Sequence, residues 1–307
     1  MDNITHSLIG AVLGQTGLKR KTGLAMPTLI IAANIPDIDA LAVLLGGQQH
    51  LAIRRGMTHG PIAWVVLPLI LWATMLAYDR WRPSAKRLPV QKGWLLVLAF
   101  IGCLSHPFFD WLNVYGIRLL MPFSDRWFAG DAIFIVDVWM LVLLATVLFV
   151  SLRRERRGHV AWTRPASLGL GVLAAYILAN GALTAMAEGR VAAALRGAGV
   201  TPVQVVASPP PLLFWQRDVF WRSADQFGAT HVEPFSVAKL TRGAPIGMDD
   251  PRIALRVADD PDARAWMVWA RMPYARFEDD GALVLRDQRF DSRLTSDRFT
   301  VRIAPPT

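Results

Sequence analysis

Long apolar runs separated by short segments rich in charge, Pro and Gly restrict this chain to a membrane-embedded helical fold. Residues 61–78, 93–112, 132–152 and 166–187 each approach or reach the roughly 20 apolar residues that a spanning helix needs. Residues 7–18 and 23–33 fall short of that length and read as tilted, partly re-entrant or an incomplete hairpin, joined by Lys19, Arg20 and Lys21. Of the 307 residues 53% are hydrophobic, which excludes an ordinary soluble enzyme. The expected architecture is mainly α: a polytopic transmembrane helical bundle over residues 1–190, followed by a separate domain over residues 200–307. The single cysteine, Cys103, sits inside an apolar run, so neither a disulfide framework nor a thiolate zinc cluster is expected. The opening MDNITH has no basic stretch before its apolar run, so the first helix is expected to stay in the mature protein.

Basic residues set the orientation, because short loops rich in Lys and Arg stay on the cytoplasmic side. Lys19–Lys21 and the 79–92 and 153–164 loops together hold 13 basic residues, whereas the intervening 34–60 and 113–131 segments hold four: Arg54, Arg55, Arg118 and Arg126. Residues 200–307 then lie on the outer side of a multi-pass membrane protein, in the periplasm or an equivalent extracytoplasmic space. That domain has 14 basic and 14 acidic residues, so the net charge of +9 belongs to the membrane half. Loop orientation accounts for this charge, and no nucleic-acid partner is expected. Short alternating or aromatic-rich runs at 203–207, 212–222, 273–278, 282–288 and 298–303, broken by Pro and by Asp-Asp-Gly, predict small strands with at least one hairpin. Residues 262–271 predict a short helix, giving a β or α+β cap.

The same orientation gathers His6, Asp37, Asp39, His59, His106 and Asp110 at the outer ends of the apolar segments. Imidazole and carboxylate together suit zinc or a similar divalent ion, and ionisable residues beside lipid call for a functional explanation. His106 and Asp110 are four apart in an apolar helix, which puts both on one face. Asp37 and Asp39 follow Pro36 where an apolar run stops, a place where carboxylates converge from an irregular turn. Each position also has a structural reading: Asp caps helices, and a histidine at a membrane interface anchors by hydrogen bonding. Asp131 and Asp137 have three open roles: partners behind the ligands, ligands of a second ion, or a cap and an ion-pair member. His50, His159 and His231 read as surface residues.

The motifs MDNITHS, NIPDID, RRGMTHG, and SHPFFDWLNVYGIRLLMPFSDRW followed by GDAIFIVD resemble the YdjM-type membrane-bound metal-dependent hydrolases of bacteria over roughly residues 1–140. The resemblance implies a helical inner-membrane protein with metal-binding His and Asp, distantly akin to zinc-dependent phospholipase C and the P1-type nucleases. Members commonly read His-Arg-Gly-x-Thr-His-Ser where this chain has Arg54-Arg55-Gly56-Met57-Thr58-His59-Gly60, so Arg54 replaces a potential ligand and Gly60 a hydroxyl. Arg54 and Arg55 could instead hold a phosphate oxygen or, like Asp131 and Asp137, stand behind the ligands.

The expected activity is metal-assisted hydrolysis of a phosphodiester or lipid-linked ester at the outer face of the inner membrane. His6, Asp37, His59, His106 and Asp110 are the candidate ligands of a divalent ion, zinc first, with Asp39 as ligand or general base. The lipid bilayer is the one expected partner besides substrate. A rival reading makes the same residues a proton or metal-ion transport site, and a third makes the membrane part an anchor for a binding cap. Clustering toward one face disfavours transport, which needs polar groups at successive depths.

Overall fold

The computed structural model describes residues 1–46, 48–234, 240, 243–245, 247–291 and 299–305. It divides into two compact units, one of Met1–Asp39 with Arg55–Gly181, the other of Ala40–Arg54 with Ala182–Thr307.

The first unit is helical. Its elements are α1 (Asn3–Gln15), α2 (Ala25–Ala32), α3 (Pro61–Trp81), α4 (Lys92–Leu112), α5 (Val138–Arg156) and the first half of α6 (Arg164–Gly197). Helix α2 is wedged between α1 and α4, and two glycines set the spacing. A Cβ on Gly10 of α1 would lie 2.7 Å from the Leu29 carbonyl oxygen, and one on Gly102 of α4 would lie 2.6 Å from Ala32 Cβ. Small residues allow such close backbone approach in membrane helices, where packing rather than water drives association. Leu29, Ala32 and Ala33 are fully buried as a result. On α3, by contrast, Ile62, Val65, Val66, Leu69 and Ile70 are all exposed, as expected of a face turned to lipid.

Among the described residues, α3, α4 and α6 are long and apolar enough to cross a membrane, and α2 with the 3-10 stretch Ile35–Leu45, bent by 42°, forms a fourth, broken candidate. The expected span over 132–152 is not among them. Its helix starts only at Val138, because the Asp137 side chain caps it by accepting from Met140 N at 2.9 Å, and the last turn already carries Arg153, Arg154 and Arg156. Residues 113–133 before it are pinned by backbone bridges, Asn113 with Ile133 and Ile117 with Phe128.

The second unit is built on two antiparallel sheets. Strands β1 (Gln204–Ser208), β2 (Arg217–Arg222), β3 (Gln226–Val232) and β4 (Ala244–Pro245) pair in sequence order, as do β5 (Pro273–Phe277), β6 (Leu283–Asp287) and β7 (Val301–Ile303). The β5–β6 hairpin turns at Asp279-Asp280-Gly281, with Gly281 at φ 81°, a conformation that glycine adopts without strain. Helices α7 (Pro251–Asp259) and α8 (Pro261–Trp269) link the sheets. Trp266 and Trp269 of α8 are fully buried, and Trp269 stacks on Phe299 at 4.8 Å. The 3-10 turn Gln49–Ala52, which lies far away in sequence, packs on α8 and buries Leu51 completely.

Candidate metal centre

Three elements deliver four side chains to one buried point. Helix α4 presents His106 and Asp110 one turn apart, the Ile35–Leu45 stretch presents Asp37, and the turn Met57–His59 presents His59. These four residues are buried and each offers a ligand atom within 4.8 Å of the others. His59 Nε2 and His106 Nε2 face each other at 3.1 Å, and each lies 3.5 Å from Asp110 Oδ2. Asp37 Oδ1 lies 3.9 Å from His59 Nε2 and 3.7 Å from His106 Nε2.

The far side of each ring fixes its tautomer. His106 Nδ1 is 2.7 Å from the Ala33 carbonyl oxygen, an acceptor only, so Nδ1 carries the proton and in the neutral ring Nε2 is bare. Thr58 Oγ1 donates to Asp39 Oδ2 at 2.7 Å, which leaves it to accept from His59 Nδ1 at 2.8 Å, so His59 Nε2 is bare as well. Two bare nitrogens pointed at each other beside two carboxylate oxygens repel unless a cation sits among them. Metal-ligand bonds of about 2.1 Å in a tetrahedron separate ligand atoms by about 3.4 Å, which is the scale found here. The donor set, two imidazole nitrogens and two carboxylate oxygens with their outer nitrogens hydrogen-bonded, therefore fits a divalent ion such as zinc.

His6 and Asp39 flank the four. His6 stacks on His106 at 3.8 Å and directs Nε2 at Asp110 Oδ1, 3.3 Å away, while its buried Nδ1 has no hydrogen bond. The Met1 amino group also contacts Asp110 Oδ1. Asp39 stands behind His59, its Oδ2 accepting from Arg55 N at 2.7 Å and lying 3.3 Å from His59 Nδ1.

Arg55 ties the site together. Its backbone is left-handed at φ 52°, and its guanidinium is stacked 4.4 Å over Tyr115. Nη1 donates to Asn113 Oδ1 at 3.2 Å and to the Gly116 carbonyl at 3.0 Å, and Nε is 3.1 Å from Asp110 Oδ2. This buried cation offsets part of the negative charge of the cluster. Asp137 lies elsewhere, held by Tyr176 Oη at 2.9 Å, and Asp131 is buried in the 113–137 connection at φ 47°. Arg54 falls in the second compact unit.

A family model described as YdjM inner membrane protein matches residues 1–187. The chain belongs to that family. No curated protein and no solved structure matches the chain. The YdjM region holds every residue of the cluster and ends before β1, so the sheets lie outside it. Within the YdjM region Gly60 is explained by space: a Cβ there would collide with the Met121 carbonyl, so the loop before α3 leaves no room for a side chain. The supporting groups Thr58, Asn113 and the Ala33 carbonyl escape sequence reasoning. Asn113 has the clearest signal, a polar residue three positions after Asp110 where α4 ends, and it accepts from Tyr115 N at 2.8 Å.

Proposed function

We propose that this protein is a membrane-bound metal-dependent hydrolase acting on a phosphodiester or lipid-linked ester. The observation that carries this reading is the opposed pair of bare Nε2 atoms, 3.1 Å apart and flanked by Asp37 and Asp110. Asp37, His59, His106 and Asp110 are the proposed ligands, with His6 next in reach. A divalent ion, zinc first among them, supplies Lewis acidity when bound and lowers the pKa of water from near 16 to about 7.

The chain's own residues do the rest. Ala33 and Thr58 hold the two rings in the ligating tautomer. Arg55 steadies Asp110. Asp39 commits Oδ2 to Thr58 and Arg55, and its other oxygen, buried without a hydrogen bond, is the proposed proton acceptor. Asp37 and Asp39 keep 6% and 7% exposure while His59, His106 and Asp110 keep none, so substrate is expected to approach on the aspartate side. The count of basic residues favours an outward site and a periplasmic C-terminal domain, where a lipid head group meets the cluster.

Detergent-solubilised, metal-replete protein screened against phosphodiesters and lipid esters tests the proposal, with turnover expected in the absence of any membrane gradient. No turnover, together with ion flux in proteoliposomes that depends on His59 and His106, would overturn it in favour of transport. Reporter fusions at residues 157 and 190 test the orientation, with cytoplasmic and periplasmic signals expected in turn.

A further inference from the structure

A second polar cluster lies at the opposite end of the helical unit, where α5 stops. Gly158 at φ 70° breaks the helix, and His159 N turns back to donate to the Arg154 carbonyl at 3.0 Å. Ser151 Oγ then donates to the Trp162 carbonyl at 2.6 Å, which ties the returning chain to the helix. The fold-back shapes an open concavity of about 380 Å³ whose lining includes Val150 and the exposed Arg153, Arg154, Arg157, His159 and Val160.

The charges in this pocket are unbalanced. Glu155, on the same turn, is taken by Lys19, and among the described residues no carboxylate lies within ion-pair distance of Arg153, Arg154 or Arg157. Basic residues at a helix C-terminus complement its dipole, and basic loops set orientation. Both effects account for the sign of the charge, but neither calls for three guanidiniums around one concavity. Guanidinium forks match the oxygens of a phosphate. The apolar rim points to where that phosphate comes from. Val160 is 99% exposed beside the arginines, and Lys19 and Arg20, at 4.8 and 4.6 Å over the ring of buried Trp162, add further basic charge to the turn.

We propose that the turn closing α5 binds the head-group phosphate of an anionic membrane lipid. Basic pockets at membrane-helix ends take such head groups. This assignment is independent of the hydrolase reading.

Full-length protein in detergent, exposed to phosphatidylglycerol or phosphatidylcholine and read by native mass spectrometry for retained lipid, tests it. Retention of phosphatidylglycerol over phosphatidylcholine is expected, falling about tenfold or more in an R153Q/R154Q/R157Q variant. The charge-matched variant R80Q/R82Q/K86Q, in a different basic loop, is expected to stay within about twofold. Val160→Glu removes no basic residue yet brings a carboxylate to the pocket, and it is expected to lose lipid as the arginine variant does. Equal losses from both basic loops, or retention unchanged in both the arginine variant and Val160→Glu, would overturn the proposal. Inorganic phosphate protecting the protein against thermal unfolding through these arginines, with no lipid retained, would assign the pocket to a soluble anion and overturn the lipid assignment.

Discussion

Among the described residues, each compact unit contains a buried cluster of charge, and the two differ in how their polar atoms are partnered. In the sheet unit, Asp287 Oδ1 accepts from Arg289 N and Nε at 3.0 and 2.9 Å, and Oδ2 accepts from Arg271 N and Met272 N at 2.8 and 3.1 Å. Arg289 Nη2 closes the pair at 2.9 Å. In the helical unit, two imidazole nitrogens face each other and two carboxylates, with Arg55 and the Met1 amino group set against Asp110. Burial costs are similar in kind, but Asp287 has donors on both oxygens, whereas Arg55 offsets only part of the charge of the open cluster. A buried cluster that is satisfied internally reads as structure, whereas one with converging lone pairs reads as a site for an external cation.

The largest expected effect breaks the open cluster. A His106→Ala, Asp110→Ala double variant removes two of four donors and is expected to lower bound metal from about one equivalent per chain to background, as elemental analysis of purified protein would measure. Metal content equal to that of the unaltered protein would remove the contrast between the clusters.

Breaking the closed cluster tests the other side. Asp287→Ala removes the carboxylate that pairs with buried Arg289 and is expected to cost about 3–5 kcal/mol of stability with metal content unchanged. Burial by itself raises the Asp287 pKa, but Arg289 and the backbone N–H donors outweigh it and hold the carboxyl below its ordinary value. With the folded pKa depressed, its contribution is present above the unfolded value of about 3.9 and is lost as pH falls through the lower folded value. Acid titration of thermal unfolding should therefore show a loss of stability below about pH 4 that Asp287→Ala lacks.

Asp39 separates a ligand set from its support. Asn at this position keeps the shape but weakens the acceptor behind His59, and a 10–100-fold loss of metal affinity is expected, as for other groups that orient a metal-binding histidine. Turnover that falls further than metal occupancy explains would mark the proposed proton-accepting role of its free oxygen. Equal losses of both would assign Asp39 to positioning alone.

These contrasts show which parts of the molecule were legible in sequence. The i, i+4 spacing of His106 and Asp110 and the carboxylates after Pro36 pointed to one locus because helix geometry and a helix-ending proline act locally. In the C-terminal unit, β1, β2, β5, β6, β7 and α8 answer to expected runs, with residue 298 of the last run outside the described residues. Strand β3 was missed because Gly228 and Thr230 dilute its alternation, and a Cβ on Gly228 would press into Trp221, so the sequence signal is lost to packing. Helix α7 was also missed, although Asp250 caps it and Pro251 opens it. Arg55 was the least legible. In sequence it reads as phosphate-binding or as support behind the ligands, and only tertiary contacts with Asp110, Asn113 and Tyr115 reveal a buried guanidinium.

The smallest effect concerns a residue whose sequence context left several roles open. Asp137 caps α5 through Met140 N and accepts from Tyr176 Oη, and its side chain touches none of the four clustered residues among the described contacts. If these contacts define its role, Asp137→Ala should cost about 1 kcal/mol, the usual value of an N-cap, and should leave metal affinity unchanged. Asp137→Asn should recover most of that loss, because an amide oxygen still caps the helix. Thermal unfolding in detergent and a metal titration on the same samples decide the matter. A tenfold loss of affinity in Asp137→Ala with Asn unable to restore it would make the negative charge itself part of the metal centre, and would extend the open cluster across the 113–137 connection.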